Sequence, residues 1–267
     1  MHKTIGQSQT FNDQLDPERA AALHATLSLA GDAPSVGEML PPFWHQIYFW
    51  DAKPPSALGR DGHPAVGIGL IPDLGLPQRM WAGGRLIFDA PVRLGSPAQK
   101  RTTVDGLIEK QGKTGPLGFV TLRHEIRQND RLCVTEFQDI VYRTPWPEGA
   151  GPERRQAPND EDLFRVVTFD TTMLFRYSAL TFNGHRIHYD LDYARQVEGY
   201  DGLVVHGPLL AQLLVQLARE QLGELAKFSF RATAPLMHDE AAELCWKDGA
   251  LWVRGPGGRL CMEATAS

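Results

Sequence analysis

Two different periods run along this chain, and they divide it into repeating blocks. Between Gly84 and Thr144, apolar and polar residues alternate in GRLIFDAPVRL, KRTTVDGLIEKQGK, LGFVTLRHEIRQ and LCVTEFQDIVYRT, separated by the turn signals GSP, KTGP and QND. A period of two bounded by Gly, Pro, Asn and Asp predicts β-strands, here four consecutive antiparallel ones. Ahead of them, Asp16 reads as the N-cap of a helix that begins at Pro17 and runs to Gly31, and LPPFWHQIYFWD, from Leu40 to Asp51, is a short, strongly aromatic segment. The second half repeats the order. A helix is predicted from Thr171 to Leu180 behind an Asp170 cap, then an irregular stretch, then a long helix from Gly207 to about Leu222. The strand-like segments KFSFRATAPLM, EAAELCWKD, ALWVRGP and RLCMEATA follow.

The long helix has Leu209, Leu210, Leu213, Leu214 and Leu217 on one side, with Ala211, Val215 and Ala218 widening the apolar surface beyond an ordinary stripe. Such a helix needs to be nearly surrounded. One long helix wrapped by a curved antiparallel sheet is the hot-dog arrangement, and helix-then-sheet twice over predicts an α+β double hot dog, although no residue-level repeat is visible. The Pro, Gly and charge-rich run from Pro145 to Asp162, PWPEGAGPERRQAPNDED, marks the boundary. The expected division is an N-terminal unit at 1–147, a linker at 148–162 and a C-terminal unit at 163–267.

Composition narrows the function classes. With 42% hydrophobic and 22% charged residues in 267, the chain is globular, and its formal charge of −5 argues against general nucleic-acid binding. Three widely spaced cysteines, Cys133, Cys245 and Cys261, support neither a disulfide framework nor a thiolate metal site, so a reducing cytoplasm is expected. The N-terminus has no apolar signal core, and the longest apolar run, near Leu203 to Leu217, is broken by His206, Pro208, Gln212 and Gln216. Neither export nor a membrane partner is expected.

Candidate chemistry concentrates between Phe175 and Gly207, in FRYSALTFNGHRIHYD and the later VVHGPLLA. Asn183, His185 and His188 lie in a loop after a helix. Their HxxH spacing suits a metal only on a helix, which Gly184 opposes, and no HExxH glutamate or cysteine pair accompanies them. General acid/base work fits better, with a purely structural role as the plainer reading. His206 and Gly207 open the long helix, whose first N–H groups lack intrahelical partners and favour developing negative charge, as an oxyanion site requires. The plainer reading makes His206 a cap and Gly207 a turn residue.

Here the chain resembles a known family. Type 2 enoyl-CoA hydratases of the MaoC-like hot-dog group carry A-L-S-x-D-x-N-P-x-H-x-D and, soon after, a V-H-G-M/P element opening the central helix. ALTFNGHRIHYD, from Ala179 to Asp190, and VVHGPLLA, from Val204 to Ala211, are similar in the same order. Asn183 falls at the family's catalytic Asp, His185 at its Asn, Arg186 at its Pro, His188 at its catalytic His, and Gly207 at the glycine that polarises the thioester carbonyl. With LPQRMWAGG, from Leu76 to Gly84, the chain resembles the double hot-dog subgroup that includes mitochondrial-type 3-hydroxyacyl-thioester dehydratases and bacterial mesaconyl-C4-CoA and itaconyl-CoA hydratases.

The resemblance implies reversible hydration of an enoyl-CoA, with a short branched dicarboxylic acyl group as the first expectation. Dehydration of a 3-hydroxyacyl chain on CoA or acyl carrier protein is an alternative within the enzyme class, and noncatalytic acyl-thioester binding is one outside it. His188 is expected to transfer the proton, Asn183 to orient water, His185 to assist, and the Gly207 N–H to hold the carbonyl oxygen. Arg176, Arg186 and Arg79 are candidates for a substrate carboxylate or CoA phosphate, because guanidinium binds either through paired hydrogen bonds. His206, Trp81 and Gly83 join them as expected substrate contacts, and Trp44 and His45 as possible lining residues of a first half that has lost its catalytic loop. No metal and no cofactor beyond the substrate's own coenzyme A is expected, and a homodimer is.

Overall fold

The computed structural model describes residues 4–112, 115–144 and 155–267. Among these residues ten strands form one antiparallel sheet: β1 (Ser8–Asp13), β2 (Gln78–Phe88), β3 (Ala98–Gly112), β4 (Gly115–Gln128), β5 (Arg131–Arg143), β6 (Leu163–Val167), β7 (Lys227–Ala232), β8 (Ala242–Lys247), β9 (Ala250–Gly255) and β10 (Arg259–Ala266). Their order is β1-β3-β4-β5-β2-β7-β10-β9-β8-β6. The strands before residue 144 therefore make up one half of the sheet and those after residue 162 the other. The double hot dog expected from the pattern is the fold that forms, with the helix α4 (Gly207–Leu222) against β7, β8, β9 and β10. Eight residues of α4 are buried, Gln212 among them, which is why its apolar surface exceeds one stripe.

The halves meet where β2 pairs with β7, from Gly83 opposite Arg231 to Ile87 opposite Lys227. Two glycines make that approach possible. A Cβ on Gly83 would lie 2.6 Å from the Phe230 carbonyl oxygen, and one on Gly84 would lie 2.9 Å from both the Phe137 carbonyl oxygen and the Phe230 ring. In MWAGG, therefore, Gly83 and Gly84 serve the zipping of two half-sheets, and the ladder shift between Trp81 and Gly83 is a bulge at the same place.

Several elements depart from expectation. β3, β4 and β5 are sequential hairpins, but β2 lies across β5 and away from β3, so the four strands are not a simple meander. The first helix, α1 (Pro17–Thr26), is capped by Asp16 as expected but stops five residues before Gly31, where Leu27 and the left-handed Ser28 turn the chain. It packs chiefly on α2 (Thr171–Leu180) and on the 3-10 turn Trp44–Ile47. In the first half the aromatic segment is core: Phe43, Trp44, Ile47, Tyr48 and Phe49 cluster with Leu86, Ala98, Ile126 and Val134. The edge strands β1 and β6 have no sequence counterpart above, because neither buries a residue fully and so neither carries a run of apolar core positions.

Of the linker, residues 148–154 lie outside the described part. The rest is tied to the second half: Ala157 N donates to Gly258 O, and Arg155 pairs with Glu263. All three cysteines are buried and free. Among the described residues, no helix is long and apolar enough to cross a membrane.

Candidate active site

The site is built where α2 ends and α4 begins. Asp170 caps α2 by accepting from Met173 N, and the helix closes at Leu180. Phe182 then takes a left-handed conformation (φ 52°), and Asn183 N donates back to Ser178 O, so the chain turns at once toward the sheet. The Asn183 side-chain oxygen accepts from His185 N at 3.0 Å, a local turn that an Asp would also make. A 3-10 turn over Arg186–His188 follows, then the short helix α3 (Leu191–Gln196), capped by Asp190.

His188 is oriented by its backbone partner. Its Nδ1 donates to the Val204 carbonyl at 2.7 Å, which places the proton on Nδ1 and leaves the Nε2 lone pair free. Burial, with His185 nearby, lowers its pKa to about 3, so the ring is neutral near neutral pH and its Nε2 carries no proton. Burial also lowers His185 to about 3, with His63 as the next cause. Behind His188 lies His206, fully buried, with its ring stacked at 3.6 Å and 20°. His206 Nε2 meets Ser178 Oγ at 2.8 Å, and its side chain makes no capping bond to α4, so it supports His188 and does not close the helix.

Gly207 follows as the first residue of α4, with Pro208 next in the first turn, and both line the same cleft as His188. A Cβ on Gly207 would meet nothing closer than the Trp81 carbonyl oxygen at 3.9 Å, and the position has no positive φ. The fold itself does not demand glycine there. What glycine leaves open is the approach to a free N–H at a helix N-terminus.

The cleft has a volume of 2130 Å³ and runs along the junction of the halves, bringing Asn183, His185, His188, Gly207, Arg79, Trp81 and Gly83 together. Trp81 Nε1 donates to Gly83 O at 2.8 Å across the bulge. Arg79 is nearly buried, donates to Pro64 O at 2.6 Å and lies 3.9 Å from Asp61. Three expected contacts lie elsewhere, and one of them is His206, fully buried behind His188 and not lining the cleft. Arg176 is exposed on α2 and does not line the cleft. Arg186 is a strap: it holds Asp190 through two nitrogens, donates to Arg60 O and lies over the Tyr193 ring. Trp44 and His45 are core, His45 bonded to buried Glu136 at 2.8 Å.

Asp61 and His63, absent from the expected set, reach the cleft from the first half. The His63 ring lies 4.4 Å from that of His185, and its Nδ1 is 3.3 Å from Asp61 Oδ2. The signal available was D-G-H-P at 61–64, hidden in a stretch with neither period. Asp61, His63 and His185 bring three potential ligand atoms within 4.8 Å of one another. The Arg79 guanidinium beside Asp61 opposes a second cation by like-charge repulsion, so the set suits proton transfer better than metal binding.

Residues 43–238 match the family model for hydroxyacyl-thioester dehydratase type 2. The chain is 43% identical over 267 residues to the mesaconyl-C(4)-CoA hydratase of Chloroflexus aurantiacus, covering 98% of this chain and 95% of that one. It is 28% identical over 244 residues to the mitochondrial hydroxyacyl-thioester dehydratase type 2 of Schizosaccharomyces pombe, covering 80% of each. Among solved structures it is similar to HtdX of Mycobacterium tuberculosis, with a TM-score of 0.69 at 18% identity over 97% of this chain and 99% of that one, a likeness of fold.

Proposed function

We propose, for a chain that belongs to the hydroxyacyl-thioester dehydratase type 2 family and is therefore a hydro-lyase, that it reversibly hydrates a short branched dicarboxylic enoyl-CoA of the mesaconyl-C4 or itaconyl kind. The observation that carries this reading is the pairing of a neutral His188, its Nε2 free, with the Gly207 N–H in one cleft. Hydration needs a base for water and a donor for the enolate oxygen that forms as water adds. His188 Nε2 takes the water proton as oxygen bonds to Cβ, and the Gly207 N–H holds the thioester oxygen as it gains charge. Asn183, whose oxygen is engaged with His185 N, has its amide N–H₂ left to orient the water.

Arg79 supports the dicarboxylic part. It is the expected arginine that lines the cleft, where a guanidinium facing a free acyl carboxylate makes paired hydrogen bonds. The first half shapes the acyl pocket in this reading, through Trp81 and Gly83. Its setting is a cytoplasmic homodimer, and the three free cysteines suit a reducing compartment. The name of the yeast relative favours a second reading, dehydration of 3-hydroxyacyl chains on CoA or acyl carrier protein.

The test is loss of the conjugated-thioester absorbance with crotonyl-, mesaconyl-C4- and itaconyl-CoA, for the native protein and for His188→Ala. The reading expects a dicarboxylic substrate to be preferred and kcat in the variant to fall by about 10²–10⁴-fold with binding retained. Failure to hydrate all three, or unchanged turnover in His188→Ala, overturns it. Preference for crotonyl-CoA moves the assignment to the second reading.

A further inference from the structure

Hydration calls for two proton movements, one from water and one onto Cα, and the second half offers imidazoles without a carboxylate, since Asn183 stands where the resembling hydratases carry Asp. The carboxylate that acts on His185 comes from the first half, on Asp61. Around Asp61 the chain forms a closed turn: Gly59 N donates to His63 O at 2.7 Å, Gly62 N to Gly59 O at 3.0 Å, and His63 N to Asp61 Oδ1 at 3.1 Å. That turn is docked on the catalytic loop. Arg186 N donates to Asp61 O at 2.9 Å, and Gly62 packs so tightly that a Cβ there would lie 2.0 Å from the Gly184 carbonyl oxygen. Two glycines in backbone contact thus set His63 against His185.

The resulting order in space is Asp61, His63, His185, His188, with Asp61 Oδ2 to His63 Nδ1 at 3.3 Å and ring centroids 4.4 Å and then 5.4 Å apart. We infer that Asp61 and His63 form the acid end of a proton relay that crosses the junction of the two halves and works through His185, completing the hydratase site. Asp61, held down to about 2 although burial opposes it, is a carboxylate anion. It orients His63 through Nδ1 and leaves Nε2 toward His185. Arg79 lies beside Asp61, and Tyr193 lies within its electrostatic reach.

The inference rests on the hydratase reading, and its steps balance. Water loses a proton to His188 Nε2 as its oxygen bonds to Cβ, and the double-bond electron pair moves through Cα onto the thioester oxygen. As the C=O bond reforms, Cα takes a proton from one nitrogen of His185, and the other nitrogen receives the proton carried by His63. The proton on His188 then returns along the rings to His63. The sum is one water added. His185, lowered to about 3, suits a ring that accepts at one nitrogen and releases at the other without storing charge. Asp61 and His63 are positioning residues here, since they act through His185.

The test uses the full-length protein with Asp61→Asn and His63→Gln, the first of which keeps an oxygen acceptor for the turn while removing the charge. Turnover of the native protein on the three enoyl-CoA substrates is measured first, then kcat, KM and the pH dependence of kcat for each variant, with thermal melting as the control for folding. We expect kcat to fall by about 10²-fold in both, with KM little changed, and imidazole to restore part of the activity of His63→Gly. Native turnover with unchanged kcat and pH profile in both variants overturns the relay alone. A native protein that hydrates none of the substrates overturns the hydratase reading and the relay with it. Activity that is lost on chelation and restored by a divalent cation also overturns the relay, by making the same residues ligands. Variants that melt early are judged on His63→Gly, where rescue by imidazole supports the relay and its absence counts against it.

Discussion

Acidifying the protein from about pH 7.5 to about pH 5 is expected to strip away much of its folding stability, because it buries neutral histidines in both halves. His188 lies in the second half, 6% exposed, with its pKa lowered to about 3 by burial and by His185. His124 lies in the first half on β4, 8% exposed, between Thr102 Oγ1 and Gln138 Oε1. Burial lowers it to about 4, with Lys100 and His45 acting the same way and Glu136 against. For a histidine whose folded pKa is depressed, the stabilisation is complete above the unfolded value of 6.5. It is lost as pH falls through that value, because the unfolded chain takes up a proton that the folded chain refuses. The loss continues until the folded pKa is reached, near 3 for His188 and near 4 for His124.

The slope in that window is about 1.36 kcal/mol per pH unit for each such group. At about pH 5, one and a half units below 6.5, each of these two histidines has lost about 2 kcal/mol, and the pair about 4 kcal/mol, against a total of about 5–15 kcal/mol for an ordinary domain. His206 and His185 are lowered as well and push in the same direction. Stopping at about pH 5 keeps most paired carboxylates, Asp61 among them at about 2, ionised. The assay is urea unfolding followed by tryptophan fluorescence at intervals between the two pH values. His124→Gln should reduce the slope by about one proton, since it removes one titrating ring. A free energy of unfolding that stays flat from pH 7.5 to 5, or a slope unchanged in His124→Gln, refutes the reasoning.

Two glycine substitutions separate folding from function. Gly62→Ala places a methyl 2.0 Å from the Gly184 carbonyl oxygen at a φ of +87°, so stability should fall by at least about 1–2 kcal/mol from the left-handed backbone alone, read by denaturant titration, with kcat falling too as the Asp61 turn lifts away. Gly207→Ala has 3.9 Å of room, so the melting temperature should hold while kcat/KM falls at least about tenfold as the methyl covers the N–H, an interaction whose complete loss costs about 2.7–4 kcal/mol. An unstable Gly207→Ala, or one with full activity, counts against the oxyanion role.

The parts of this protein legible in its sequence were those whose physics is local. The start of α4 is one: His206-Gly207-Pro208 ahead of a broad leucine face fixes a helix that must be wrapped, and the helix runs over Gly207–Leu222. The alternation of β4 is another, with every second residue from Gly118 to Gln128 buried. What local pattern cannot carry is pairing at a distance. Nothing in the spacing of QRMWAGGRLIF tells that β2 skips β3 to lie between β5 and β7, since that depends on Phe230 and Phe137 coming close enough to exclude a side chain at Gly84. Among the arginines, residue type alone did not separate Arg79, which faces the cleft, from Arg186, whose guanidinium is bound to Asp190 four residues on.

The same distinction explains why the Asn at 183 is intelligible only in three dimensions. Along the chain it reads as a lost carboxylate, because the neighbouring residues contain no replacement. In the fold, Asn183 keeps the turn-forming acceptor role of an Asp, donating the geometry that sets His185 N, while a negative charge near the imidazoles arrives on Asp61 from more than a hundred residues away. The carboxylate has therefore been separated from the loop that positions the histidines. Such a separation is sustainable only if the two segments cannot drift apart, and the contact that prevents drift is the most sterically exacting one at the site: Gly62 against Gly184, reinforced by Arg186 N on Asp61 O and by the Arg186 guanidinium on Arg60 O. Arg186, a candidate substrate ligand by residue type, thus has a structural reason to be where it is. It joins the two halves at the point where the proposed chemistry needs them joined.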